Sequence, residues 1–302
     1  MTNSNCPFTG SFVALVTPFR DGKVDHEALK ALVDRQIAAG QSGLVPCGST
    51  GESATLDHEE HGAVIETVVK HTAGRVPVIA GTGSNATAEA ISLTKEAEAA
   101  GANGALLISP YYVKPTQEGI IDHYRAVAES TSLPLIVYNI PGRTASTIEV
   151  PTLARLAEVE NLVAVKDSTG SLDSVMDTIA ACGDKMAVLS GDDSLSLPLI
   201  AMGATGSISA MANVIPKEIA DLTSAALAGR WDDARRIHYR ILPLIRACFL
   251  ESNPIPIKAA VAMLGGCENS VRLPLRPLTD GAREKLTAAM KDFGLPTNGA
   301  GV

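Results

Sequence analysis

Residues 135–168 read LIVYNIPGRTASTIEVPTLARLAEVENLVAVKDS. Two short apolar runs, 135–139 and 162–166, flank a segment long enough for a crossover, and each run ends in polar residues. That is one unit of a parallel sheet. The same cycle recurs along the chain, with strands expected at 12–17, 43–46, 76–80, 104–109, 135–139, 162–166, 186–190 and 206–209. The intervening segments carry helical spacing and boundary signals. Asp25 precedes Leu29, Leu32, Val33 and Ile37 on one face, and that helix stops at Gly40. Asp57 with Glu60 forms a capping-box pattern, and Thr116 precedes Ile120, Ile121, Tyr124 and Val127. Eight strand-helix cycles in this length predict an α/β (β/α)8 TIM barrel rather than an open doubly wound sheet. From residue 216 onward the pattern is helical alone (216–228, 231–250, 256–264, 281–293), so the division expected is a catalytic barrel over 1–215 and a C-terminal helical appendage over 216–302, with a frayed tail at 296–302.

Composition narrows the function. The 302 residues are 46% hydrophobic and only 19% charged, below the roughly 25% usual in soluble domains, which suggests extra burial between subunits. With 25 Lys+Arg against 33 Asp+Glu the net charge is -8, which argues against a nucleic-acid partner. No apolar run reaches membrane-spanning length, so no membrane partner is expected. Five dispersed cysteines read as reduced thiols, and residues 1–7 lack a secretory pattern, so a cytoplasmic protein is expected.

In such a barrel the chemistry belongs at the C-terminal ends of the strands. There the chain places Ser49 and Thr50 in a Gly-flanked turn, then Tyr111 and Tyr112, Tyr138 and Arg143, and Lys166. Lys166 ends a run with no other polar group. It reads either as a solvent-facing charge beside Asp167 or as an amine that forms a Schiff base with a keto acid, since burial favours the neutral, nucleophilic form of an amine. Tyr138 is a packed aromatic or a proton shuttle; Ser49 and Thr50 are turn formers or carboxylate holders; Arg143 is a surface charge or a bidentate carboxylate clamp. His58 and His61 stand one turn apart in an exposed first turn without a third ligand, so no metal is expected. Asp192-Asp193 reads as a helix N-cap.

Gly48-Ser49-Thr50-Gly51-Glu52, Tyr138-Asn139-Ile140-Pro141 and Val165-Lys166-Asp167 resemble the signatures of the dihydrodipicolinate synthase and N-acetylneuraminate lyase superfamily, pyruvate-dependent aldolase-type enzymes. The segments 51–56 and 80–87 with Arg143 resemble its synthase branch. The resemblance implies condensation of pyruvate with L-aspartate 4-semialdehyde, without metal or organic cofactor. It makes Lys166 the imine-forming lysine, Tyr138 the proton donor, and Ser49 with Tyr112 the rest of a hydroxyl relay. Thr50 and the backbone of Ile208 would hold the pyruvate carboxylate, and Arg143 that of the semialdehyde. Tyr112 would reach into a neighbouring subunit of a homotetramer. Ser53, Ala54, His58, His61, Asn85, Glu89 and Tyr111 match the positions that bind the feedback inhibitor L-lysine. Ser49 stands where synthases usually carry Thr, Cys47 where an aliphatic is common, and Asp167-Ser168 where Glu-Ala is frequent. Two rivals stay open: another pyruvate aldolase, such as a 2-keto-3-deoxy sugar-acid aldolase or a sialic acid lyase, and a noncatalytic sensor of lysine or pyruvate.

Overall fold

A computed structural model describes residues 6–297. Residues 1–5 of the start read for a leader and 298–302 of the expected tail lie outside them. Eight parallel strands form the barrel: Gly10–Ala14, Gly43–Val45, Ile79–Gly81, Gly104–Ile108, Leu135–Asn139, Leu162–Asp167, Ala187–Ser190 and Gly206–Ser209, called here the first to the eighth. Each pairs with its sequence neighbour except the second with the third, and the first pairs with the eighth. Between the second and third strands the seam is made by a bridge from Leu44 to Val78 and by the Gly81 N–H donating to the Pro46 carbonyl at 2.9 Å. The fold is the expected (β/α)8 barrel.

Strand ends depart from expectation where the backbone cannot pair. The third strand starts at Ile79 rather than at 76, because Pro77 has no N–H and the Val78 N–H is taken by the side chain of Asn103 at 2.9 Å. A two-stranded hairpin, Phe19–Arg20 with Lys23–Val24, was not legible. The first helix, His26–Ala38, and the second, His58–Thr72, begin at the caps read from Asp25 and Asp57, the latter a complete capping box.

The barrel interior and the layer between strands and helices form two apolar cores. Phe8 and Phe12 meet edge to face at 6.1 Å and plug the N-terminal end of the barrel. Gly43 is needed there, since a Cβ would fall 2.5 Å from the Phe12 ring. Tyr138, Leu106, Leu189 and Ile208 continue this inner core towards the opposite rim. Helix Pro216–Leu227 follows the eighth strand and packs on the first, so it completes the eighth cycle and the additional helices start at Trp231. These are Trp231–Ala247, Ile255–Met263 and Asp280–Phe293. Among the described residues no helix is long and apolar enough to cross a membrane.

Candidate active site

Period-two alternation decides which side chains enter the barrel. Tyr138 and Lys166 are paired in register on the fifth and sixth strands, so both project inward. The sixth strand runs through Lys166 to Asp167, which settles the two readings of this lysine against the solvent-facing one: it is 6% exposed. Its ammonium nitrogen lies 4.1 Å from the centre of the Tyr138 ring. Gly191, just past the seventh strand, leaves room for the chain of Lys166, since a Cβ there would sit 2.8 Å from Lys166 Cε and 2.1 Å from Ser168 Oγ. Ser168 Oγ is buried without a hydrogen-bond partner.

These residues open into a cavity of about 920 Å³. Ser49, Thr50, Tyr138, Arg143, Lys166 and Ile208 all line it. The outer wall comes from residues 245–253 of the C-terminal helical region. Asn253 there donates from Nδ2 to Thr50 Oγ1 at 2.9 Å, which leaves the threonine's own proton free for an incoming acceptor. The Asn253 carbonyl accepts from Arg143 Nη2 at 2.8 Å and fixes one edge of that guanidinium. The loop carrying Arg143 is clamped by the outward-facing Asn139, which donates to the Ile148 carbonyl at 3.0 Å and accepts from its N–H at 3.1 Å.

Asp193 does not cap its own helix. Its carboxylate accepts from Ser209 Oγ and from the N–H groups of Ala210 (3.2 Å) and Met211 (3.1 Å), tying down the loop after the eighth strand. Burial pushes this carboxyl up to about 6, with those hydrogen bonds opposing the shift. Asp192 folds back on Ser194 and also lines the cavity.

Tyr112 is absent from this lining. It has a positive φ of 71° and is 87% exposed, with Val113 and Leu273 also exposed.

The chain belongs to the dihydrodipicolinate synthetase family. The family model matches residues 7–293. A curated relative from Geotalea uraniireducens, named 4-hydroxy-tetrahydrodipicolinate synthase, is 54% identical over 95% of this chain and 99% of its own. The chloride-inhibited dihydrodipicolinate synthase of Acinetobacter baumannii, solved in complex with pyruvate, is 46% identical, with a TM-score of 0.93 over 95% of this chain and 99% of that one. The enzyme of Cyanidioschyzon merolae, solved with lysine bound, is 39% identical, with a TM-score of 0.92 over 95% and 99%.

A second cavity of about 410 Å³ adjoins the first and shares Ser49, Tyr138, Arg143 and Asn253 with it. Of the seven residues matched to an inhibitor site, Ser53, Ala54, His58, His61, Glu89 and Tyr111 line it, and Asn85 does not. Glu89 accepts from Ser84 Oγ and pairs with His58 Nε2 at 2.8 Å, and these contacts hold its carboxyl below the usual range. His61, expected to be exposed, is 5% exposed; its Nε2 meets the Gly81 carbonyl at 2.9 Å, and burial lowers its pKa. The helix starts on the surface, but His61 occupies the face that turns towards the barrel with Val64 and Val68.

Sequence reasoning missed the whole outer wall, Asn253 included, because residues more than a hundred positions beyond Arg143 carry no periodic signal of where they fold back. It also missed Lys258. This lysine is fully buried, paired with the fully buried Glu52, and stacked 3.9 Å over the ring of Phe19. Glu52 has a positive φ of 55° and accepts a second hydrogen bond from the Arg272 N–H at 3.0 Å. Burial lowers the pKa of Lys258 and the Glu52 carboxylate opposes that shift.

Proposed function

We propose that the chain condenses pyruvate with L-aspartate 4-semialdehyde to give 4-hydroxy-tetrahydrodipicolinate, a step towards diaminopimelate and lysine. The observation that carries this reading is a buried lysine against a tyrosine ring at the floor of a cavity rimmed by Thr50 and Arg143. Lys166 Nζ attacks the keto carbon of pyruvate, and water leaves to form the imine. Loss of a methyl proton gives the enamine, with Tyr138 moving protons through Ser49 and a tyrosine hydroxyl to solvent. The enamine carbon then bonds to the aldehyde carbon of the semialdehyde as the imine re-forms on Lys166, and the aldehyde oxygen takes a proton returned by Tyr138 to become the hydroxyl. Its amine adds to the imine carbon as the bond to Lys166 breaks, and its proton passes to the departing lysine nitrogen. The lysine is the electron sink, so the scheme uses no metal or organic cofactor. Thr50 and the Ile208 backbone hold the pyruvate carboxylate, and Arg143 the second one.

Tyr112 completes the relay from a second copy of the chain in a homotetramer; its exposure and its absence from its own cavity's lining support this. The deciding experiment is a panel of aldehyde acceptors assayed with pyruvate. Arg143→Ala should raise KM for the semialdehyde about tenfold or more while leaving borohydride-trapped pyruvyl enzyme intact. A variant that keeps its KM would break the assignment and favour a sugar-acid aldolase.

We assign L-lysine to the second cavity, where Glu89 offers a carboxylate to a cationic ligand. Millimolar L-lysine should slow turnover, and Glu89→Gln should remove the inhibition without altering the uninhibited rate. A wild-type rate indifferent to lysine would dispose of this site.

A further inference from the structure

Pairing between the seventh and eighth strands ends with Ser190 opposite Ser207. Ile208 comes next, at the rim where its backbone is assigned to the pyruvate carboxylate, and past Ser207 no ladder ties the eighth strand to the seventh. One buried side chain makes the connection instead. Asp193 reaches across, one oxygen accepting from Ser209 Oγ and the other from the N–H groups of Ala210 at 3.2 Å and Met211 at 3.1 Å. Ser209 Oγ extends the hold by accepting from the Ala212 N–H at 2.9 Å. The other buried carboxylates among the described residues are engaged differently. Glu52 faces the Lys258 ammonium, and Asp167 takes its bonds from Thr169 in its own segment. Asp193 holds neutral donors of a second rim loop. We infer that Asp193 is a positioning residue for the keto-acid site: its carboxylate fixes the backbone from Ser209 to Met211 and so aims the Ile208 peptide at the pyruvate carboxylate.

This assignment rests on the imine step proposed above and extends it to a residue outside the cavity lining. A protonated Asp193 turns its bond to Ser209 round, because a neutral carboxyl donates, and the serine proton then loses its buried acceptor. Burial pushes this carboxyl up to about 6. Asp192 on its own loop adds to the shift, the eighth-strand loop faces it with a hydroxyl and N–H groups, and Cys248 beside helix Trp231–Ala247 is a thiol that the Asp193 charge helps to push up. The hold is therefore complete well above pH 6 and weakens as the pH falls through it. A raised carboxyl also means that the fold favours the neutral form, so the charge lowers stability, by nothing below about 4 and in full above about 6. Aim and stability thus respond to pH in opposite directions.

Asp193→Asn copies the neutral state, with an oxygen for the two N–H groups and an amide that donates to Ser209. The test follows trapping of the pyruvyl enzyme by cyanoborohydride at limiting pyruvate, from about pH 5 to 8, in both proteins. The ratio of their rates cancels the titration of Lys166, which they share. The expected ratio is about tenfold in favour of the parent at the alkaline end and falls to unity at the acid end, with its midpoint near pH 6. Ser209→Ala removes a hydrogen bond that holds the carboxyl down and should move the midpoint up. Asp193→Asn should melt no lower than the parent at neutral pH. A ratio of one throughout, a ratio that does not change with pH, a midpoint indifferent to Ser209→Ala, or a large fall in Tm each overturns the assignment and leaves the imine step standing. A wild-type protein that traps no pyruvate overturns the imine step, and the assignment with it.

Discussion

Lys166→Met should abolish the pyruvyl adduct and lower kcat by at least about 10³-fold, since loss of a covalent nucleophile leaves only binding and positioning. Met roughly matches the lysine stem that packs against the Tyr138 ring and Gly191, so the fold should survive. Mass spectrometry after borohydride reduction reads the adduct directly, and thermal unfolding reads the fold. A variant that is folded and still labelled by pyruvate at another lysine would remove the basis of the mechanism. A labelled wild type beside an unlabelled, folded variant supports it in full.

The second large effect falls on stability. Lys258→Met strands the Glu52 carboxylate at a site with no solvent contact, where only the Arg272 N–H remains as a partner. Breaking a buried ion pair on one side costs about 3–5 kcal/mol, which for a protein of this size lowers Tm by roughly 10 °C. The paired variant Glu52→Gln with Lys258→Met should recover a good part of this, because no charge is then buried alone. Differential scanning calorimetry of the two single variants and the pair closes the cycle. If Lys258→Met melts within a degree of the parent, the pair does not hold the C-terminal helices to the catalytic turn. Kinetics should follow stability, since Glu52 lies two residues from Thr50 and its left-handed backbone sets the course of that turn.

These two lysines also measure what the sequence discloses. Each stands in an apolar run, 162–166 and 255–263, and the reasoning that singled out Lys166 applies equally to Lys258. Composition of the run announces burial; it does not tell whether the partner is a carboxylate or an empty cavity. Strand ends told more, because the barrel puts each of them on one rim, and so Ser49, Thr50, Tyr138, Arg143 and Lys166 were legible and line one cavity, joined there by Ile208, which only the family resemblance indicated. The outer wall was not, because its contacts are one backbone carbonyl and one side-chain amide, both of Asn253, and no side-chain pattern encodes them. His61 was misjudged for a similar reason: capping signals locate the start of a helix and say little about which face turns inward. Pro77 is the reverse case, a single residue whose chemistry delayed a strand that hydrophobicity alone would start earlier.

The far wall of the main cavity has a temporal consequence. During synthesis the first eight strand-helix cycles emerge before Phe249–Asn253, and domains build up from the N-terminus as the chain appears. The ring can therefore close around Lys166 while the mouth still gapes on one side. A nascent chain holds the proposed nucleophile but neither the amide that donates to Thr50 nor the carbonyl that accepts from Arg143. On the proposed mechanism, chemical competence is thus deferred to roughly the last sixth of translation, when residues 249–253 are made.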